Sequence, residues 1–253
     1  MKFKFLLFLP ILSCNAQVSN SNNSATLDSM ALQIENYYTQ NKGNNLPSKS
    51  IGTPGKGQLI NGKLIPFKGS NYEYFDVNSY LSGRAFLHQK VKETLLNTYK
   101  KLDSIYPQRQ FKIMECANKN GGALFPHKTH QNGLSVDFMM PLIQENKPYY
   151  KLDTIGTTHY FITLNSKGQY NRDTSIAIDF NLVAKQILIL GEKARLKGLK
   201  ISKVIINTGF KDELFATVFG NQLRLSKIYI VKSLDNYTNY FHDDHFHIDF
   251  EIL

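Results

Sequence analysis

The sequence predicts an α+β fold: a single domain in which a small, mostly antiparallel sheet is flanked by helices. Two observations carry this. Two stretches place apolar residues at helical spacing, and several short stretches alternate apolar and polar residues with period two. Strands this short and alternating favour α+β over a doubly wound parallel sheet. With 253 residues, 42% hydrophobic and 20% charged, the chain can bury a sizeable core and is too apolar to be disordered.

The elements follow in order. Residues 1–17 read as an export signal: Lys2 and Lys4, then the apolar run Phe5–Leu12, then the small residues Ser13 and Ala16. The run is too short to span a bilayer. Two processing routes stay open. Ile11-Leu12-Ser13-Cys14 resembles a lipobox, which would leave a lipid on Cys14; cleavage after Ala16 would release a soluble protein. Either route predicts a periplasmic protein that touches membrane only through its signal or its lipid. Residues 18–58 form an Asn/Ser-rich spacer with a short helix over Leu27–Tyr38, and Gly and Pro from Ile51 to Gly62 suggest turns. The compact domain is expected over 59–253.

Leu87, Val91, Leu95, Tyr99 and Leu102 predict a helix from Gly83 to Ile105, closed before Pro107. Gln110–Glu115 is a strand, and the Gly121-Gly122 turn leads to a second strand at Leu134–Phe138. Tyr160–Leu164 reads as a strand that, with the turn Asn165–Gly168, forms a hairpin. Asn181–Lys197 is a deeply packed helix, Lys203–Asn207 a strand, Lys211–Phe219 a short helix and His245–Ile252 the closing strand. The 2 Cys, Cys14 and Cys116, offer no disulfide framework, so Cys116 is expected to be a buried thiol. The formal charge of +10 is dispersed, with no dense basic block and no nucleic-acid motif, so it reads as a solvated surface and no nucleic-acid partner is expected.

The chain has 7 His, and five of them fall in two short segments, His127-Lys128-Thr129-His130 and His242-Asp243-Asp244-His245-Phe246-His247. On the closing strand, side chains alternate. His245, His247, Asp249 and Glu251 then share one face, and Phe246, Ile248, Phe250 and Ile252 share the apolar other. Imidazoles at adjacent same-side positions stand roughly 6–7 Å apart, so one can bind a metal while its neighbour reaches a water on that metal. The strand around Asp137 repeats the design, with Leu134, Val136 and Phe138 facing the core. Gly133 permits the tight backbone that brings His130 to the same ion. A His/Asp/His set with one wet position is the pattern of a catalytic zinc site, whereas four protein ligands make a structural one. Asp249 and Glu251 could orient a histidine or form a solvated strand end; the second is expected.

Together, Gly121-Gly122, Pro126-His127, His130-Gln131, Gly133, Val136-Asp137-Phe138 and the run His242 to His247 resemble the penicillin-insensitive murein endopeptidases. These belong to a wider group of zinc peptidases that includes lysostaphin-type enzymes, D-Ala-D-Ala carboxypeptidases and hedgehog signalling domains. The resemblance spans most of the domain, and the two histidine segments are its specific part. It implies Zn2+ held by His130, Asp137 and His247, with His245 as the catalytic histidine. His127 and His242 would be further active-site histidines that hold substrate or steady developing charge. The implied activity is zinc-dependent hydrolysis of a D-alanyl peptide cross-link in peptidoglycan. A D-Ala-D-Ala carboxypeptidase and a non-catalytic, metal-dependent binder of cell-wall peptides are the alternatives. The chain departs from the family at Asp249, where members commonly carry Arg, and at Tyr149–Asp173, which looks like an enlarged loop or hairpin.

Overall fold

The structure, a computed structural model, describes the backbone of residues 19–253 and side chains from residue 27 onward. The expected export signal and Cys14 lie outside the described residues. Helix α1 (Ser19–Asn41) is longer than the expected Leu27–Tyr38. Its Ile34, Tyr37 and Tyr38 pack against the core, with Tyr37 edge-on to Tyr80 at 5.7 Å between ring centres. None of the helices among the described residues is long and apolar enough to cross a membrane.

Strands β1 (Lys49–Thr53) and β2 (Lys56–Ile60) form an antiparallel hairpin where the sequence suggested only turns. The short elements β3 (Lys63–Leu64), β4 (Tyr72–Tyr74), α2 (Val77–Leu81) and β5 (Phe86–Leu87) follow. Helix α3 (Gln89–Ile105) buries Val91, Leu95, Tyr99 and Leu102 as their spacing predicts. It starts later than Gly83 because Gly83 takes a positive φ of 82° and Phe86–Leu87 pair with β3. His88 then caps the helix by accepting from the Lys90 amide through Nδ1.

Next come β6 (Phe111–Ile113), β7 (Ser135–Met139), β8 (Leu142–Gln144) and β9 (Lys147–Tyr149). The stretch after β9 departs from expectation. Its Tyr160–Leu164 segment is not a strand: a 3-10 helix spans Gly156–Phe161, and Leu164 makes only a single bridge, to Tyr170. His159 is buried and the Tyr160 hydroxyl is enclosed. Consecutive residues both facing inward are incompatible with strand alternation. The turn at 165–168 forms as expected, with the Asn165 side chain accepting from the Lys167 and Gln169 amides. Strands β10 (Gln169–Tyr170) and β11 (Asp173–Ile178) lead into α4 (Phe180–Leu196), within one residue of expectation, and β12 (Leu199–Ile205). The expected helix at Lys211–Phe219 is two helices, α5 (Lys211–Ala216) and α6 (Val218–Leu225). Thr217 divides them, extended in backbone and accepting from the Gly220 amide as the cap of α6. Helix α7 (Asn236–Tyr240) and strand β13 (His245–Ile252) close the chain.

The architecture is α+β. A five-stranded sheet runs β12-β13-β7-β6-β4, antiparallel except for the β4–β6 pair, and a four-stranded sheet runs β10-β11-β8-β9. Strand β13 sits inside the larger sheet because both its faces are occupied. Phe246, Ile248 and Phe250 are buried in the core, and Phe246 stacks on Phe138 at 5.1 Å. Each such side chain contributes about 1.5–3 kcal/mol by leaving water. That anchor sets the register that presents the opposite, polar face.

Candidate active site

Register places Asp137 of β7 directly opposite His247 of β13. Their polar atoms meet, His247 Nδ1 lying 2.7 Å from Asp137 Oδ1. The loop between β6 and β7 supplies the remaining members. It folds back through left-handed conformations at Gly121 (φ 70°), Gly122 (φ 78°), His130 (φ 70°) and Gly133 (φ 74°). The β1–β2 hairpin clasps it from behind: the Gln131 amide donates to the Pro54 carbonyl at 2.9 Å, the Gly122 amide to Gly57 at 3.1 Å, and Ser50 Oγ to the Asn132 carbonyl at 2.7 Å. These constraints bring His130 Nε2 to 3.2 Å and His127 Nδ1 to 3.5 Å from Asp137 Oδ2.

His127, His130 and Asp137 each offer a ligand atom within 4.8 Å of the other two, a group that could hold a metal ion. The atoms themselves argue for one. Asp137 Oδ2 and both ring nitrogens of His130 are buried and make no well-aligned hydrogen bond, the 3.2 Å contact between Asp137 and His130 included. Leaving such atoms unpartnered costs roughly 1–3 kcal/mol each. A cation among them removes that cost, and two imidazoles with a carboxylate are donors zinc accepts. The resemblance implied that His127 holds substrate or steadies developing charge; in the structure its ring also lies within reach of His130 and Asp137. His247 borders it, its ring centre 4.8 Å from that of His130.

His245 stands beside the group, with Nε2 at 4.0 Å from Asp137 Oδ2. Its Nδ1 donates to Asp244 Oδ1 at 2.8 Å, which directs Nε2 toward the cluster. His242 packs 4.8 Å from His245, ring centre to ring centre, and donates through Nδ1 to the Thr238 carbonyl at 2.6 Å. Four of the five clustered histidines therefore surround Asp137, and the fifth, His242, packs against His245.

The charges follow from burial and neighbours. Burial opposes ionisation of Asp137, but His130 and His247 hold it well below the usual carboxylate range. Burial disfavours the charged forms of His127 and His242, pulling both down to about 3. Burial also opposes charge on His245, yet Asp244 outweighs it and raises the pKa. His247, buried between Asp249 and Asp137, is raised to about 10. These environments favour neutral His127 and His242 and a charged His247 between two carboxylates.

Three contributors escaped sequence reasoning, and a fourth was weighed there but expected to be solvated. Asp244 was seen only as part of the histidine run. His159 and Tyr160 come from the 3-10 helix: His159 Nε2 lies 3.7 Å from Asp244 Oδ2, and the Tyr160 ring meets His245 edge-on at 5.5 Å. Asp249 corrects the expectation of a solvated strand end. It is 3% exposed, with Oδ1 2.7 Å from His247 Nε2. Glu251 is exposed as expected and pairs with Lys200 at 3.1 Å. Cys116 is the expected buried thiol.

A family model for penicillin-insensitive murein endopeptidases matches residues 50–252, most of the chain. The chain belongs to that family. As a murein endopeptidase it is a hydrolase of the cell wall, and its substrate is peptidoglycan. The match spans both histidine segments and the hairpin behind the first of them. No individual curated protein matches the chain significantly.

Proposed function

We propose that this endopeptidase is zinc-dependent, cuts D-alanyl peptide cross-links, and works in the periplasm after export, either free or lipid-anchored at Cys14. The observation that carries the reading is the group of unpartnered, buried donors on His130 and Asp137, set beside His245 with its Nε2 facing them. His130, Asp137 and His247 are the proposed ligands of Zn2+. His247 Nδ1 lies 2.7 Å from Asp137 Oδ1, and with its proton released it would offer a lone pair to the same ion. A second assignment, with His127 in place of His247, is favoured by the tight grouping of His127 with His130 and Asp137.

Bound zinc lowers the pKa of water and polarises a peptide carbonyl. The chain's own residues supply the rest. His245 accepts a proton at Nε2 and returns it to the leaving amine, because Asp244 fixes its tautomer and stabilises its charged form. His242 donates through Nδ1 to Thr238, so its Nε2 is an acceptor for a substrate amide. His127, held neutral by burial, adds no charge to compete with the cation. A metal-driven attack needs no serine nucleophile, so β-lactams find nothing to acylate.

The test pairs metal analysis with digestion of purified muropeptides by wild type, His245→Ala, His247→Ala and His127→Ala. The expected result is dimers split to monomers, metal but no activity in His245→Ala, and neither in His247→Ala. Metal lost in His127→Ala and kept in His247→Ala selects the second ligand set. Release of free D-alanine instead of monomers identifies a carboxypeptidase, and binding without fragments identifies a non-catalytic binder. Equal activity in all four proteins ends the proposal.

A further inference from the structure

Asp249 is a buried carboxylate that the proposed reaction does not use. Strand alternation puts it on the same face as His247, one same-side position along β13. The neighbouring strands complete its surroundings. Ser135 of β7 and Lys203 of β12 both lie opposite Asp249 in register. Ser135 Oγ donates to Oδ1 at 2.6 Å, Lys203 Nζ sits 2.8 Å from Oδ2, and His247 Nε2 sits 2.7 Å from Oδ1. Three adjacent strands therefore each contribute a donor to one carboxylate.

We propose that Asp249 is a positioning residue that fixes the ring of His247 and reserves its Nδ1 for the metal. The inference rests on the reading of His247 as a ligand. An imidazole has two nitrogens, and the partner of one decides which is left to coordinate. Asp249 accepts the hydrogen bond from Nε2–H, so the lone pair belongs to Nδ1, on the side of Asp137. Ser135 and Lys203 prevent the carboxylate from turning, which holds the ring plane as well as the tautomer. An outer carboxylate behind a metal-binding histidine raises the basicity of the ligand and fixes its direction. Asp249 touches neither substrate nor metal in this scheme; it acts only through His247.

The test measures zinc affinity by chelator competition in wild type, Asp249→Ala, Asp249→Asn and His247→Ala. Long-range 1H–15N spectra of the zinc-loaded proteins report the His247 tautomer. Asp249→Ala should weaken zinc by about 10–100-fold and lose the single Nε2–H pattern. Asp249→Asn keeps an acceptor for that proton, so it should recover most of the affinity and the wild-type pattern. If the alanine variant does not fold, Asp249→Ser, too short to reach the imidazole, replaces it with the same expectation. Wild-type affinity and an unchanged tautomer in Asp249→Ala or Asp249→Ser overturn the proposal while leaving His247 a ligand. Equal zinc loss in the alanine and asparagine variants with an unchanged tautomer reduces Asp249 to a structural role and also overturns it. Wild-type affinity in His247→Ala instead overturns the ligand reading and this inference with it.

Discussion

Asp244 holds the Nδ1 of His245 at 2.8 Å, and that bond leaves Nε2 as the nitrogen facing Asp137. An amide in place of the Asp244 carboxylate can donate to Nδ1, which would move the imidazole proton to Nε2 and block proton acceptance there. Asp244→Asn should therefore lower kcat by about 10²-fold or more while metal content stays at the wild-type level. Steady-state cleavage of a muropeptide dimer, with metal analysis of the same sample, checks both halves.

Metal removal should loosen the whole protein, because the ligands come from two segments that folding brings together. Zinc at about a thousand times its Kd should add about 4 kcal/mol to stability. Thermal melts with zinc and with excess chelator should differ by several degrees, and activity should vanish with the metal. Superimposable melts would argue against a bound ion.

Acid should weaken the metal-free protein through its buried neutral histidines. Burial holds His242 at about 3 in the folded state, against about 6.5 in an unfolded chain. Between those values the unfolded state binds the extra proton, so this contribution is complete above pH 6.5 and is lost as pH falls toward 3. Urea unfolding from pH 7 to 4 should show a shallower fall in His242→Asn than in wild type.

Arg84 and Glu115 form a 2.7 Å ion pair beneath the histidine loop, and Arg84 also donates to the Phe125 carbonyl. Arg84→Met leaves a buried carboxylate without its cation. The loss should reach about 3 kcal/mol, the low end for a buried pair, since the guanidinium keeps some contact with water. Adding Glu115→Gln should restore part of it in denaturant titrations.

Much of this was legible from local pattern. The apolar spacing of α3 and α4 located both helices, and the alternation of β13 assigned its two faces, because each signal repeats within one element. The convergence of the clustered histidines on Asp137 was legible from their segments. What escaped depends on pairing between distant residues. The Gly-rich 49–60 stretch reads as linker until it bonds to a loop far along the chain (Ser50 to Asn132, 82 residues apart). The burial of Asp249 is set by Ser135 and Lys203 on other strands. His159 and Tyr160 lie in a 3-10 helix too short for any periodicity.

Gly121 is the tightest point of that loop. At φ 70°, an added Cβ would sit 2.2 Å from the Gln131 carbonyl oxygen and 2.5 Å from the Leu59 amide. Both obstacles are backbone, so neither can rotate away. Gly121→Ala should cost more than about 1 kcal/mol and should weaken metal uptake along with stability. Chemical denaturation and chelator competition on the same variant measure the two effects.

The clasp between residues 49–60 and the His127–His130 loop makes an amino-terminal ornament part of the catalytic architecture. A shortened enzyme starting at Leu59 would retain every side chain around Asp137. It would nonetheless strip Gln131 and Gly122 of the carbonyls that tether them, leaving two of the five imidazoles on an unmoored arm. Trimming that ignores this brace would yield a protein with the right chemistry and the wrong aim.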